Sequence, residues 1–526
     1  MRCRNRFARL PVSITHQIRS LILVSDLIAP LLTAALFAAL WSMMMACLPW
    51  QENGDGLLET VMSLQKLTVY FWGQDRFANL LPALTTGIRN PLYNAYVQLA
   101  LRVLAGSLAP AFFCSLAFRR PLDVWHAALA TDCLFGLVAN PALIWQVYME
   151  ASPYGPSLAC AGLATLALRA ALRCRVRMRL PLQVLAVGLL LTGYVVNFAM
   201  VLFALPLVGS LALILRSPFT RLLLLLHLIG AVFGFLLPFV FAAEHHTLLG
   251  TDIAFHSYAR YFGVLWSNAG WSFVLAAGLP VVLFLALGHS RRRGPMRTVV
   301  ASIIAVMLAA TAIFFFAVAS SRWVAMNEFH QRYFIPGYLL LMSTGGIAAW
   351  QLFRHAVRDR VTRRALFATL ASLLLLITAG RLHTRGEATH DMIGDGKAPL
   401  AEAVAGRYIT LSLDGIAGDY WFVWPSVFAA EQYRYDGRAD EPDVLGIAYR
   451  GDARRREFIA RLARRGALRV GCIDIDAVAC IGFVSSNMAA PGLLGVEFAP
   501  AERLPDNHWL SFVSISPPAP ERVRPP

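Results

Sequence analysis

From Pro181 to Leu215 the chain reads PLQVLAVGLLLTGYVVNFAMVLFALPLVGSLALIL, and no charged residue follows until Arg216. At 1.5 Å of rise per residue a single helix of that length would measure roughly 50 Å, well beyond the ~30 Å hydrocarbon core of a bilayer. The stretch therefore holds either two short spans or one long tilted span. Basic residues decide between them, because Lys and Arg concentrate in cytoplasmic loops. With two spans and a break near Tyr194 to Asn197, every basic cluster falls on one side: the N-terminus, Arg119/Arg120, Arg173 to Arg179, Arg216/Arg221, Arg291 to Arg293 and Arg354 to Arg364. One span would turn the later clusters outward.

Further apolar segments of spanning length lie at 27–48, 94–117, 124–147, 156–172, 220–242, 264–287, 298–319, 334–352 and 365–380. Together with the two halves of 181–215 they predict an α-helical polytopic membrane domain over 1–380 with about eleven transmembrane helices. The N-terminus is then cytoplasmic, and residues 381–526 lie outside. Composition agrees, since 57% of the 526 residues are hydrophobic and only 15% charged. A net charge of +16 does not imply a nucleic-acid partner, because the basic residues sit in short clusters between apolar runs rather than on one solvated surface. The first apolar segment is too long for a cleaved signal, so an uncleaved helix is expected. Lys66 and Lys397 are the only lysines, a preference for Arg that fits a bacterial inner membrane.

The tail alternates strand-like runs such as Ile409 to Leu413 with an amphipathic helix over Asp452 to Arg465, which predicts a small extracytoplasmic α/β domain. Its end, Ser516 to Pro526, is Pro-rich. Cys47, Cys114, Cys133 and Cys160 lie in or beside apolar spans, where thiols behave as small hydrophobes. Cys472 and Cys480 bracket a compact stretch in the oxidising compartment, and a disulfide between them is expected.

The first outer loop carries the densest chemistry. It reads Trp50-Gln51-Glu52-Asn53-Gly54-Asp55-Gly56, then an amphipathic stretch Leu57 to Tyr70, then Phe71-Trp72-Gly73-Gln74-Asp75-Arg76-Phe77. Glu52 and Asp55, set among glycines just past a membrane exit, suit acid/base work on a substrate at the interface. Asp55 is equally a favoured cap for a helix beginning at Leu57. Trp72, Tyr70 and Tyr261 are expected in the aromatic belt at the membrane surface, where a ring can also stack on a sugar.

This layout resembles the GT-C superfamily, polytopic glycosyltransferases that take a sugar from a polyprenyl-phosphate donor on the outer face of the membrane. In that family the first outer loop carries an essential Asp shortly after helix one, and Asp55 matches its position. Arg332-Tyr333-Phe334-Ile335-Pro336, opening a late helix, resembles the family's Arg-Tyr-x-x-Pro-like entry near the donor phosphate. The resemblance covers roughly 20–380 and implies Asp55 as general base, with a lipid-linked sugar as substrate. It also implies a glycan, lipid or protein acceptor and inversion at the anomeric carbon.

A departing phosphate needs positive charge beside it in low dielectric. Arg332, Arg260 and Arg76 are candidates, with Gln74 and Tyr333 as neighbouring substrate contacts. Arg102, about two turns into the second span, either serves function or pairs structurally, for instance with Asp132. Glu150, in the next outer loop, resembles a second acidic residue found in some GT-C enzymes. His245, His246, Asp252 and His256 could ligate a divalent metal, though four ligands in one loop are weak grounds. The competing classes are a lipid or glycan transporter or flippase, which predicts broken helices and a repeated half, and a non-catalytic scaffold with an outer binding domain.

Overall fold

A computed structural model describes residues 38, 54–72, 77–139, 141–148, 153–174, 176–242, 258–289, 295–357, 359–389, 397–437, 443–449 and 454–518. Apart from Ala38, the expected span 27–48 lies outside them. The helices are α1 (Gly54–Leu64), α2 (Leu80–Thr85), α3 (Pro91–Leu108), α4 (Pro110–Ala117), α5 (Pro121–Val138), α6 (Pro141–Tyr148), α7 (Tyr154–Ala171), α8 (Val176–Val196), α9 (Met200–Leu215), α10 (Pro218–Leu236) and α11 (Pro238–Phe241). They continue with α12 (Tyr258–Ala269), α13 (Trp271–His289), α14 (Pro295–Ala319), α15 (Arg322–Met326), a 3-10 turn at Gln331–Phe334, α16 (Ile335–Ala356) and α17 (Arg360–Thr389).

The stretch 181–215 divides into α8 and α9 around Asn197, whose Oδ1 accepts from Ala199 N at 3.0 Å. Other expected spans are segmented where the backbone demands it. The segment 124–147 is split between α5 and α6 ahead of Pro141, and the helix over 264–287 breaks at Gly270, which sits at φ +48°. Among the described residues, four helical segments are long and apolar enough to cross a membrane: Pro91–Ala117, Val176–Val196, Pro218–Phe241 and Val299–Ala319. The expected boundary at residue 380 falls inside α17, which runs on to Thr389.

The helices pack closely where side chains vanish. A Cβ on Gly346 of α16 would stand 2.1 Å from Thr131 Oγ1 and 2.6 Å from the Ala127 carbonyl of α5, so these two backbones approach as only glycine permits. Trp350, one turn further on, is anchored by donating to Asp123 Oδ1 at 3.1 Å, while Arg354 pairs with Asp123 Oδ2 at 3.0 Å.

Beyond α17 come α18 (Lys397–Thr410), β1 (Gly415–Gly418), α19 (Tyr420–Tyr435), β2 (Leu445–Ile447), α20 (Arg455–Arg465), β3 (Leu468–Ile473), α21 (Ala477–Asn487), β4 (Leu494–Arg503) and β5 (Trp509–Ser516). The strands form one sheet in the order β2-β1-β3-β5-β4, with β2, β1 and β3 parallel and β5 antiparallel to both β3 and β4. Two sequence expectations are corrected here. Ile409 and Thr410 end α18 rather than open a strand, and the chain turns through Ser412 at φ 49° before β1. The real strand, Gly-Ile-Ala-Gly, is buried at every position, so it has no alternation to read. The stretch Leu57 to Tyr70 is helical only to Leu64, after which Tyr70 bridges to Ala78.

Residues between Leu57 and Trp72 share one apolar core with this C-terminal unit. Leu57, Leu58, Val61, Met62, Phe71 and Trp72 are buried with Leu400, Val404, Tyr420, Val423, Trp424 and Val427. The Trp72 and Trp424 rings lie 5.8 Å apart. Tyr70, Trp72 and Tyr261 are therefore not lipid-facing belt residues, since each is at most 3% exposed.

Gly346→Ala is expected to lower the thermal midpoint in detergent by several degrees, reflecting about 1–3 kcal/mol of overpacking. Gly188→Ala, whose added Cβ meets nothing within 4 Å, should leave the midpoint unchanged. Equal midpoints for the two variants would refute the close α5/α16 contact.

Candidate functional site

Helix α1 begins at Gly54, so Asp55 stands in its first turn rather than capping it from outside, with its charge near the positive end of the helix dipole. The apolar stripe Leu57, Leu58, Val61 and Met62 faces the C-terminal unit. Glu59, one turn after Asp55, turns toward α3. There it meets Arg102, whose Nη2 lies 3.0 Å from Glu59 Oε2 and also donates to the Gly56 carbonyl at 3.2 Å. Both side chains are almost fully buried, at 2% and 9% exposure. The structural partner of Arg102 is thus Glu59 rather than Asp132, which accepts instead from the Tyr148 hydroxyl at 2.7 Å. A polar chain continues from this pair. Gln98 donates to Asn94 Oδ1 at 2.8 Å and to Thr85 Oγ1 at 2.9 Å, and Asn94 donates to Ser63 Oγ at 3.0 Å. These bonds fix α1 against α2 and α3.

Arg332 arrives from the other end of the sequence. Two consecutive non-glycine residues, Glu328 at φ 52° and Phe329 at φ 53°, occupy the left-handed region just before it. Each costs roughly 1–2 kcal/mol, and such strain persists only where packing dictates it. Phe329 is fully buried, with its ring 5.7 Å from Tyr261, and Tyr261 stacks on Phe334 at 4.6 Å. His330 then caps the 3-10 turn, its Nδ1 accepting from Arg332 N.

The outcome is a carboxylate held from two directions. Arg332 Nη1 donates to Asp55 Oδ2 at 3.1 Å, and the Tyr420 hydroxyl donates to Asp55 Oδ1 at 2.5 Å. Arg332 also donates through Nη2 to the Tyr333 hydroxyl at 3.2 Å, with its guanidinium over the Tyr333 ring. Asp55 and Arg332 are 28% and 24% exposed, so this pair, unlike Glu59 and Arg102, stands open to a ligand. Burial alone would weaken the Arg332 charge, but the neighbouring Tyr333 and Asp55 outweigh it and hold the guanidinium protonated more firmly than usual. His330 is pulled down to about 4 by the protein packed around it and by repulsion from Arg332, against the opposing pull of Asp55. His330 is exposed on the surface, so solvent tempers the effect of packing, but the Arg332 charge beside it acts in the same direction and the ring is neutral at neutral pH.

Of the residues singled out from sequence, the structure brings Asp55, Arg332 and Tyr333 together and sets Arg102 behind them as a fastening for α1. Arg260 lies exposed on α12. Glu52, Gln74, Arg76, Glu150 and the histidine-rich loop 245–256 lie outside the described residues. Among the described residues no group of three His, Cys, Asp or Glu side chains is placed to hold a metal. The sulfurs of Cys472 and Cys480 are joined, with Cα atoms 6.4 Å apart, tying β3 to α21. Tyr420 carries no signal in the sequence. No local motif marks it, and it reaches Asp55 only because α1 and α19 share a core.

No family model and no curated protein sequence matches the chain. Solved structures similar to it include ArnT from Cupriavidus metallidurans bound to undecaprenyl phosphate, at 14% identity and a TM-score of 0.47, covering 92% of this chain and 97% of that one. The same protein in its apo state gives 12% identity and a TM-score of 0.37, covering 90% and 97%. Both likenesses run nearly end to end and superpose loosely.

Two outcomes are expected. Glu59→Gln should cost about 3–5 kcal/mol by leaving Arg102 buried without its counter-charge, while Glu59→Leu combined with Arg102→Met should recover most of the loss; thermal midpoints compare them. Between pH 6.5 and about 4 an unfolded chain binds a proton at residue 330 that the folded one does not, so acidification destabilises the fold. The midpoint drop from pH 7 to pH 5 should accordingly be smaller in His330→Gln, and an equal drop would contradict the neutral assignment.

Proposed function

We propose that the chain is a glycosyltransferase of the GT-C kind in the bacterial inner membrane, moving a sugar from a polyprenyl-phosphate donor to an acceptor hydroxyl on the outer face. The observation that carries this reading is the Asp55 carboxylate, held between Arg332 of the late helical segment and Tyr420 of the C-terminal unit. Asp55 takes the proton of the acceptor hydroxyl, whose oxygen attacks the anomeric carbon. The bond from that carbon to the phosphate oxygen breaks with its electrons going to the polyprenyl phosphate. The departing phosphate is met by the Arg332 guanidinium, pre-set by Tyr333 and by the strained turn before it. Since Arg332 already faces Asp55, little reorganisation is needed when the phosphate arrives.

Tyr420 aims Oδ1 and keeps the carboxylate from collapsing wholly onto Arg332. The joined pair Cys472–Cys480 supports placing the C-terminal unit in an oxidising, extracytoplasmic compartment. That placement agrees with the basic loops on the opposite, cytoplasmic side, as the eleven-helix topology requires.

Asp55→Asn is expected to abolish consumption of lipid-linked sugar in membranes, with a loss of at least about a hundredfold, the lower end of what a general base contributes. Tyr420→Phe, which keeps the ring and removes one hydrogen bond, should cost about tenfold or less. Full transfer by Asp55→Asn would sink the proposal.

A further inference from the structure

The two oxygens of Asp55 face different parts of the molecule. Oδ2 looks toward Arg332, where the phosphate belongs, and Oδ1 looks toward Tyr420 in the C-terminal unit. In a direct displacement the nucleophile enters opposite the leaving group, so the acceptor approaches from the Tyr420 side. The donor cannot use that side, since its prenyl chain stays in the bilayer. What lines it is aromatic. The Tyr420 ring, itself fully buried, lies 5.1 Å from the Tyr449 ring and 5.2 Å from Trp421. Tyr449 is 51% exposed, and Trp421 is partly so.

A single exposed tyrosine is ordinary on a protein surface; what sets Tyr449 apart is its place one ring from the site carboxylate, where it offers a flat apolar face with a polar rim. That shape suits the C–H face of a pyranose, whose hydroxyls point outward around its edge. It suits a lipid chain poorly, because a chain would need a closed apolar groove, and a peptide is the competitor the experiment below tests against.

We propose that Tyr449, backed by Tyr420 and Trp421, is the stacking wall for a pyranose ring of the acceptor, which makes the acceptor a carbohydrate rather than a protein or a simple lipid. This rests on the glycosyltransferase reading above and names the substrate class of the same site. Tyr449 is a binding residue; it does not touch the reacting proton.

The test is saturation-transfer NMR on the purified full chain in nanodiscs, using a panel of methyl pyranosides and, in parallel, a short peptide bearing Ser and Thr. The wild-type protein should saturate the ring C–H protons of at least one pyranoside and leave the peptide unsaturated. Tyr449→Ala should reduce the sugar signal at least about fivefold, while Tyr449→Phe and Tyr449→Trp retain it. Absence of a sugar signal in the wild type, an undiminished signal in Tyr449→Ala, or a Tyr449-dependent peptide signal overturns the inference. Asp55→Asn should keep the sugar signal and lose transfer. If Asp55→Asn loses transfer but Tyr449→Ala keeps the sugar signal, only the carbohydrate acceptor falls; if Asp55→Asn still transfers, the glycosyltransferase reading falls.

Discussion

Helix α1 is gripped on two sides, and the proposed chemistry depends on that grip. One face carries Leu57, Leu58, Val61 and Met62 into a core shared with Tyr420, Val423 and Trp424, while Glu59 ties the helix to Arg102 of α3. The loop after α1 is fastened as well: Gln65 donates to Glu431 Oε1 at 2.6 Å and to the Val444 carbonyl at 2.9 Å, and Lys66 pairs with Glu457 at 2.7 Å. A helix of three turns would not hold its shape in isolation, so its conformation is supplied by these partners. Asp55 inherits its position from them.

The two acid–arginine pairs on this helix show how burial separates structure from function. Glu59 and Arg102 are dry, hydrogen-bonded and enclosed, and a substrate phosphate could reach Arg102 only by dismantling the pair. Asp55 and Arg332 have the same chemistry one turn away and keep about a quarter of their surface. The strain at Glu328 and Phe329 is carried by the packing of the buried Phe329 ring against Tyr261, and it sets where Arg332 emerges.

Much of the membrane part was legible because its signals are local. Hydrophobic length and the order of basic clusters locate most of the helices and the break at Asn197, and a carboxylate among glycines in an outer loop stands out without any partner in view. The arginine beside it is legible as a cation heading a late helix. Their meeting across 277 positions is not, nor is the contact from Tyr420 across 365, because no periodicity encodes a pairing at that separation. For Arg102 the sequence leaves function and structural pairing open, with Asp132 as one example, whereas its partner in the structure is Glu59 of α1. In the C-terminal unit, alternation at Ile409 to Leu413 pointed to a strand, yet those apolar residues serve a helix end and the turn after it. The buried strand Gly415–Gly418 is nearly silent, two of its four residues being glycine.

A candidate site divided between the helix bundle and the C-terminal unit has a physical consequence. The carboxylate is complete only while α19 is docked on α1, so formation of the shared core and assembly of the site are one event. Losing Trp72 from Trp424, or Lys66 from Glu457, would loosen Tyr420 from Asp55 without touching either residue. Oδ1 would then lose its fixed direction, while the Arg332 contact to Oδ2 would persist. Tyr420 thus does more than add a hydrogen bond. By holding one oxygen away from the arginine, it turns the two oxygens of a single aspartate in different directions, the arrangement the proposed transfer would use.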